Sequence, residues 1–465
     1  MGVPGFFRWL IITFGEKYIY MNTSDLEIDS LSFDLNALIH KYKTDYINQI
    51  NIIIDKLKPK KNTFIAIDGT TPIAKIKQQK QRRYKSIHDT LLMIGMKKKY
   101  NINIDKTELW NSAHISVGTE FMDTLCKNLH DTYMYNNSVI ISDIYDFGEG
   151  EHKIMEYIRN TSYSSYIIYG NDADLFFLSF TIDKDIYIYR DDGKIISINN
   201  IKSLLINKWN NINPKNFIML SYLLGNDFLP PIPSIDIYKN GIDVLLFNLN
   251  VLNIGNECLS FSNLLYIIEK LSNNEDDILE KKYFGKKIFP IKVQFNSYDE
   301  EYKGLQNLEF NIYDPIKLGK NGYKDRYYRY YNVTNIQDIV NDYIYGLLWQ
   351  YNYYNGIITD YEWYYKYDIA PFLTDIIRYS ESFNIKIIDR NPNITPLEQL
   401  LIITHPYSIE VIPAKYQHII KKLNDYYNSE GHIDLLNKNK YWQCQYIFNQ
   451  QHNIMEILAT IRSLM

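Results

Sequence analysis

Seven carboxylates recur in this chain, most of them directly after short apolar runs. They are Asp34, Asp68, Glu149, Glu151, Asp172, Asp174 and Asp227. A carboxylate buried at the end of an apolar strand is costly unless a cation gathers it. Mg²⁺ prefers carboxylate oxygens and keeps open positions for phosphate. The pattern therefore predicts a site for two Mg²⁺ ions, with Mn²⁺ able to substitute, and indicates a metal-dependent phosphodiesterase.

Apolar runs alternate with helical patterns from about residue 31 to residue 245. The runs, bounded by Gly, Asp or Asn, are LSFDL, TFIAID, SVIISD, SYIIYG and DIYIY. Helices are predicted at Ile73–Ile94, Thr119–His130 and Glu151–Arg159. This alternation is typical of an α/β layer with a mostly parallel sheet. Ligands of such sheets bind outside the carboxyl ends of the strands, where Asp34, Asp68 and Asp172/Asp174 are expected to meet.

The rest of the chain predicts a further organisation. We expect an α/β domain at 1–245, a polar connecting segment at 246–300, a second helical region at 301–425 and a helical tail at 426–465. The second region is intensely aromatic, with the fragments YIYGLLWQYNYYNG and YEWYYKYDIAPFLTDI.

Composition excludes several classes of protein. A net charge of −4 and a pI of about 6.2 argue against a basic nucleic-acid coat, so any nucleic-acid contact needs a local basic patch. The three cysteines, Cys126, Cys258 and Cys444, are scattered and odd in number, which favours a reducing compartment. We expect the cytoplasm, with the nucleus as the alternative. Neither a signal peptide nor a membrane span is expected.

The spacing of the acids indicates how they could share metal ions. Asp172 and Asp174 lie in GNDADLFF, and alternate residues of an extended segment face the same side. Glu149 and Glu151 repeat this spacing in GEGEHK, where glycines let the backbone bend. Carboxylates from several strands can hold two ions about 3.5–4 Å apart, which clamp the attacking and leaving oxygens of a phosphodiester. A single Asp is more often a cap or turn residue, but seven in this pattern favour a metal centre.

A basic helix is predicted in the fragment TTPIAKIKQQKQRRYKS, directly after Asp68. At about 100° per residue, one face of this helix carries Lys75, Gln79, Arg82 and Arg83. Arginine offers forked donors, so this face suits a phosphate group. A solvated basic face is the alternative interpretation. The position just after Asp68 favours phosphate recognition beside the metal centre.

Ordered motifs along the chain resemble those of the XRN family of 5′→3′ exoribonucleases. They are MGVPGFFRWL, DLNALIH, AIDGTTPIAKIKQQKQRRY, VGTEFM, GEGEHKIMEYIR, YGNDADL, LLGNDFLP, DYIYGLLWQYNYYNG, WYYKYDIAPFLTDI and TPLEQLL. The resemblance covers residues 1–425. It implies a PIN/FEN-like sheet flanked by helices, a metal site formed by the seven acids, and a 5′-monophosphate pocket on the basic face. It also implies that His40 stacks on the first base, with Trp363 behind it and Trp349 as the alternative.

The resemblance further implies an activity. It is the metal-dependent, processive degradation of single-stranded 5′-monophosphorylated RNA to 5′-mononucleotides in RNA decay, by a monomer that binds no membrane. A 5′→3′ DNA exonuclease or flap-type nuclease is the first alternative, although FLPPIPSIDIYKNGIDVLL after Asp227 lacks the Gly-x-Gly hairpin of those enzymes. An inactive scaffold that binds RNA 5′ ends is a remote alternative, because all seven acids are present.

Overall fold

The chain folds as two compact units. The computed structural model describes residues 2–21, 26–104, 111–209, 212–252, 257, 259–285, 294–310, 312–357, 359–380, 389–390, 393–428 and 430–465. The first unit contains Met1–Ala74, Met122–Glu275 and Asn335–Pro396. The second unit contains Lys75–Phe121, Asp276–Thr334 and Leu397–Met465.

A twisted sheet is the centre of the first unit. Its strands, among the described residues, are β1 (Tyr20–Met21), β2 (Ser30–Asp34), β3 (Asn62–Ala66), β4 (Val139–Ser142), β5 (Ser165–Tyr169), β6 (Asp185–Tyr189) and β7 (Ile195–Ser197). Their order across the sheet is β1-β7-β6-β5-β2-β3-β4. The five strands from β6 to β4 are parallel, and β7 and β1 are added antiparallel at one edge.

Helices connect the strands and cover the sheet. In chain order they are α1 (Phe6–Phe14), α2 (Glu16–Ile19), α3 (Leu35–Tyr42), α4 (Tyr46–Leu57), α5 (Ile73–Lys99), α6 (Glu120–Tyr133), α7 (Gly150–Asn160), α8 (Asp174–Phe180), α9 (Ile198–Lys208), α10 (Pro214–Ser221), α11 (Gly241–Val251), α12 (Phe261–Ser272), α13 (Glu275–Phe284), α14 (Tyr298–Gln306), α15 (Tyr323–Tyr330), α16 (Ile336–Asn355), α17 (Leu373–Ser380), α18 (Pro396–Ile403), α19 (Gln417–Lys422), α20 (Asn424–Tyr427) and α21 (Ile454–Leu464).

The predicted α/β class with a mostly parallel sheet is confirmed. Every residue of β2 is buried, as expected for a central parallel strand covered by helices on both faces. The five apolar runs all form strands, and the three predicted helices correspond to α5, α6 and α7. The aromatic-rich α16 packs in the first unit, so the predicted second helical region also contributes to the unit that contains the sheet.

The second unit is mainly helical and includes a β-hairpin. Most of α5 runs through this unit, and its carboxyl-terminal part contains β8 (Gly431–Asp434) paired antiparallel with β9 (Gln445–Phe448). The sequence predicts a helical tail at 426–465, whereas the structure has a β-hairpin in this region. Each strand has four residues, too short for a clear alternation of apolar and polar residues.

The connecting segment and the cysteines can now be compared with the sequence predictions. The polar connection within 246–300 contains α13, whose Leu279 is fully buried. Burial raises the pKa of the Cys126 thiol to about 11 and that of Cys444 to about 12, which disfavours the thiolate form of both residues. Cys258 lies outside the described residues. Among the described helices, none is long and apolar enough to cross a membrane.

A buried carboxylate fixes the start of α17. Glu275 has no exposed surface and accepts hydrogen bonds from the backbone N–H groups of Leu373 (2.8 Å) and Thr374 (2.9 Å). It also accepts from the hydroxyls of Thr374 (2.7 Å) and Ser234 (2.9 Å). These donors satisfy the charge, and the carboxylate in turn satisfies amides that helix formation leaves unpaired.

We predict that Glu275→Ala lowers the free energy of unfolding by about 3 kcal/mol, because it leaves buried donors without an acceptor. Thermal unfolding followed by circular dichroism measures this loss. The matched control is Glu280→Ala on the same helix, where the side chain is 46% exposed and pairs with Lys320. The control is expected to stay within about 0.5 kcal/mol of the wild type. Equal losses in the two variants would contradict the structural role of Glu275.

Candidate active site

The carboxyl ends of the central strands bring acids from distant parts of the sequence together. In the register of the sheet, Asp34 at the end of β2 pairs with Ala66 of β3, and Phe33 pairs with Tyr169 of β5. Asp68 follows β3 by two residues, and Asp172 follows β5 by three. The strand order places β2 between β3 and β5, so the carboxylates that follow these strands share one edge of the sheet.

The glycine between the two glutamates of the GEGE motif lets a helix approach two of these acids. The N–H of Gly150, the first residue of α7, donates to Asp68 Oδ1 at 2.7 Å. A Cβ added at Gly150 would lie 3.3 Å from Asp34 Oδ1 and 3.3 Å from Asp68 Oδ1. Both carboxylates therefore face the amino end of α7, where the helix dipole favours negative charge.

Glu149 and Glu151 flank this glycine. Both side chains are buried, at 4% and 9% exposure. One oxygen of each carboxylate and one ring nitrogen of His152 all lie within 4.8 Å of one another. This grouping offers two carboxylates and an imidazole to a cation. His152 was not among the sequence-predicted site residues.

Asp172 and Asp174 lie at a junction between strand and helix. The N–H of Asp174 donates to Asp172 Oδ1 at 3.2 Å, and Asp174 is the first residue of α8. The segment predicted as extended is therefore a turn that enters a helix. Asp174 Oδ2 also accepts from the N–H of Gly2 at 2.8 Å.

Asp227 lies in a loop fixed by its neighbour. Asn226 Oδ1 accepts from the N–H groups of Phe228 (3.0 Å) and Leu229 (3.1 Å), and its amide nitrogen donates to the buried Gln350 of α16. Burial raises the pKa of the Tyr354 hydroxyl well above its ordinary value, and the charges of Asp174 and Asp227 raise this pKa further. The seven acids are thus linked through neighbouring groups within one unit. Their role as metal ligands stays a prediction.

Mutual repulsion among these acids fits a divalent cation. Burial is the main reason why the pKa of Asp34 lies well above its ordinary value. The charges of Asp68, Asp172 and Glu149 raise this pKa further. Asn36 Oδ1 is also buried and has no donor among the described residues. Clustered carboxylates and a buried carbonyl oxygen without a donor are the ligands that a hard divalent cation takes.

The predicted phosphate-binding face lies on α5 in the second unit. The Gln79 amide oxygen accepts from Gln399 at 3.1 Å, and Arg83 donates to the Ser116 hydroxyl. Burial lowers the pKa of Arg83 to about 10, and the charge of Arg82 contributes. Lys75 is 7% exposed, whereas Arg82 is exposed. Four donor-bearing side chains thus remain on one helix, as predicted, and phosphate binding by them stays a prediction.

The predicted stacking residues differ in burial. His40 is exposed on α3. The indole N–H of Trp363 donates to Asp342 Oδ1 at 2.9 Å, and the ring is half-buried. Trp349 has no exposed surface, and its N–H donates to the Asp360 carbonyl at 2.6 Å. A fully buried ring has no face for a nucleotide base, so burial favours Trp363 as the stacking residue.

Two family models match the chain. They are the XRN 5′-3′ exonuclease N-terminus over residues 1–192 and the Xrn1 helical domain over residues 289–458. The chain belongs to the XRN family.

Curated relatives of this XRN-family chain share about a quarter of its residues. The human protein "5′-3′ exoribonuclease 1" is 24% identical, aligned over 99% of this chain and 34% of its own length. The Drosophila melanogaster protein "5′-3′ exoribonuclease 2 homolog" is 25% identical, over 95% of this chain and 69% of its own length. The chain therefore spans about a third of the first relative and about two thirds of the second.

Among solved structures, the catalytic core of Rad2 (complex I) resembles this XRN-family chain distantly. The TM-score is 0.38 at 13% sequence identity, covering 87% of this chain and 99% of that one. The fold class rests on the observed sheet topology and not on this likeness.

Several groups around the acids were missed from the sequence alone. Asn36 donates to Asp68, and Lys153 donates to the carbonyls of Ile67 (2.8 Å) and Asp143 (2.6 Å) next to the strand ends. Both residues lie inside motifs that carry the family resemblance, DLNALIH and GEGEHKIMEYIR. Proximity to an acid in the motif was the available signal, but the partner of each side chain depends on the fold.

We predict that millimolar Mg²⁺ raises the melting temperature, because a cation relieves the repulsion around Asp34. Asp34→Asn removes one buried charge, so it should raise the melting temperature of the metal-free chain and shrink the shift caused by Mg²⁺. Differential scanning fluorimetry with Mg²⁺ or EDTA measures both effects. Exposed Asp131→Asn on α6 is the control and should keep the full Mg²⁺ shift. The absence of any shift in the wild type would argue against a metal site.

The burial of His405 next to helix α5 predicts that the stability of the protein depends on pH. Its ring packs on Tyr84 of α5 and its Nδ1 accepts from the N–H of Tyr407 at 3.1 Å. Burial, with a contribution from Lys80, lowers the pKa of His405 from 6.5 to about 4. The unfolded chain therefore takes up this proton first, and stability present above pH 6.5 is lost as the pH falls toward 4.

His405→Asn should flatten this dependence, since Asn does not titrate in this range and is a favoured helix cap. Melting temperatures between pH 4 and 7, measured in one buffer series, test the difference. The exposed His432→Asn is the control and should keep the wild-type slope. An unchanged slope in His405→Asn would show that other groups cause the acid sensitivity.

Proposed function

We propose that this chain is a metal-dependent 5′→3′ exoribonuclease that degrades 5′-monophosphorylated, single-stranded RNA to 5′-mononucleotides. The observation that carries the proposal is that Asp34, Asp68 and Asp172 follow the carboxyl ends of three adjacent strands in a member of the XRN family. The names of the relatives support RNA as the substrate.

The seven acids would hold two Mg²⁺ ions at the reacting phosphodiester. Bound ions of this kind supply the Lewis acidity that activates water and stabilises the leaving 3′ oxygen. Gly150 and Asn36 hold Asp68 in place by donating to its two oxygens. Asp34 and Glu149 are buried away from bulk water, and this burial strengthens the electrostatic interactions of their carboxylates.

The 5′ end is recognised by the basic face of α5. Arg82 and Arg83 are adjacent cations, and Arg83 is held by Ser116, whose own hydroxyl donates to the Ala113 carbonyl at 2.7 Å. The oxygen of the Gln79 amide accepts from Gln399, so its nitrogen is the group that can donate to a phosphate. This donor set suits a terminal monophosphate, and we expect it to exclude a cap or triphosphate. Holding one terminal phosphate gives the cleavage its direction.

Base stacking supplies the grip for successive cleavage steps. We assign this role to the exposed His40 and the half-buried Trp363. Stacking of a base on an aromatic ring contributes about 1–3 kcal/mol. The enzyme acts as a monomer in RNA decay, and the scattered cysteines favour the cytoplasm, with the nucleus as the alternative.

The direct test compares one RNA sequence with a 5′-monophosphate, triphosphate, cap or hydroxyl in Mg²⁺, beside the same sequence as DNA. The monophosphorylated RNA is expected to be degraded fastest, to mononucleotides released from the 5′ end. Asp172→Ala should abolish turnover while RNA binding stays measurable. Equal rates on all 5′ ends would overturn the phosphate pocket, and a preference for DNA would favour the flap-type alternative.

Arg82→Ala tests the phosphate-binding face separately. Loss of one charge-assisted contact should raise KM for monophosphorylated RNA by about 10-fold or more and leave 5′-hydroxyl RNA nearly unaffected. Lys77→Ala, on the same helix but off the predicted face, is the matched control. Equal effects of the two substitutions would indicate a general loss of positive charge and would contradict specific phosphate recognition.

A further inference from the structure

Two consecutive tyrosines of α16 donate to two different acids of the site. The Tyr353 hydroxyl donates to Glu149 Oε1 at 2.9 Å, and the Tyr354 hydroxyl donates to Asp174 Oδ1 at 2.6 Å. Both tyrosines are buried, at 5% and 2% exposure. A phenol that faces a carboxylate can only donate, so each contact fixes one oxygen of its acid.

Both rings are held in place by their neighbours. Tyr353 stacks on His152 with ring centroids 3.9 Å apart and on Trp349 at 4.9 Å. The Tyr354 ring lies 5.5 Å from that of Tyr222. The Tyr354 carbonyl also accepts from Arg159 at 2.9 Å. The two hydroxyls therefore have little freedom to turn away from the acids.

Glu149 and Asp174 come from two different connections of the sheet. Glu149 precedes α7 in the connection after β4, and Asp174 begins α8 after β5. In the strand order, β5 lies on one side of β2 and β4 lies beyond β3 on the other. Neighbouring residues of one rigid helix thus contact carboxylates that approach from opposite sides of the sheet centre.

We propose that Tyr353 and Tyr354 are positioning residues that hold the carboxylates of Glu149 and Asp174 at the spacing and orientation needed to bind divalent cations. This inference rests on the proposed function. A carboxylate has about four acceptor positions, so one phenol contact leaves others for metal. Asp174 is held at both oxygens, since Oδ2 accepts from Gly2 and Oδ1 from Tyr354. Groups that orient metal ligands in this way are typically worth 10–100-fold in metal affinity or activity.

A purely structural role is the competing explanation, and the same helix offers a matched control. Tyr343 is also fully buried on α16, but its hydroxyl donates to the Pro230 carbonyl at 3.1 Å and contacts no acid of the site. Tyr343→Phe removes a buried hydroxyl with the same change in composition. Phenylalanine keeps the ring in all three variants, so the packing on His152 and Tyr222 is retained.

The test measures Mn²⁺ affinity by isothermal titration calorimetry of full-length Tyr353→Phe, Tyr354→Phe and Tyr343→Phe, and the dependence of kcat on Mg²⁺ concentration. We expect the first two variants to need about 10-fold more metal for half-saturation, with kcat partly recovered at high Mg²⁺. Tyr343→Phe should keep the wild-type metal affinity, even where its melting temperature falls.

Three outcomes would overturn the inference. If Tyr353→Phe and Tyr354→Phe bind metal as tightly as the wild type, this inference is wrong. The proposed function then stands, provided that the wild type binds metal and degrades RNA. Equal losses of affinity in all three variants also overturn this inference alone, because they indicate general loosening of α16. A wild type that binds no divalent cation overturns the proposed function together with this inference.

Discussion

Repulsion among carboxylates at the end of a parallel sheet is the constraint on which the first unit depends. Parallel strands bring their carboxyl ends to one edge, and here Asp34, Asp68 and Asp172 follow three adjacent strands. Burial raises the pKa of Asp34, and its neighbours raise it further. The fold tolerates this concentration of charge because helix starts and amide donors, such as the Gly150 N–H, face the acids.

The region after residue 335 completes this arrangement. Helix α16 contributes Gln350 to the loop that carries Asp227, and it contributes Tyr353 and Tyr354 to Glu149 and Asp174. Residues distant in sequence thus supply the hydrogen bonds that the acids need. Helix α16 and the loops that follow the sheet strands therefore both contribute to the candidate site.

The elements that could be predicted from the sequence are those with a strong local signal. Buried parallel strands read as short apolar runs ending in an acid, so β2, β3 and β5 and the placement of Asp34 followed from the pattern. The local shape around Asp174 did not, because a turn into a helix and an extended segment share the same i, i+2 spacing. The hairpin near the carboxyl end was not predicted, because strands of four residues are too short to show a clear alternation of apolar and polar side chains.

Side-chain partners across the sequence could not be predicted, because they depend on the fold. The tyrosines of α16 lie in an apolar, aromatic helix whose pattern indicates only core packing. Their hydroxyls reach Glu149 and Asp174, more than 170 residues away in sequence. Because aromatic residues are abundant in this helix, the sequence alone could not distinguish Tyr353 and Tyr354 from rings that pack in the core.

The basic face of α5 presents the opposite electrostatic problem. Arg83 is desolvated, and the neighbouring charge of Arg82 lowers its pKa further. Within the described residues, no carboxylate pairs with either guanidinium, so an anion is the group that would stabilise their charged forms. By the same argument, the clustered acids around Asp34 favour a cation. In the proposed function, divalent metal stabilises the charged acids, and the terminal phosphate of the RNA stabilises the charged guanidinium groups.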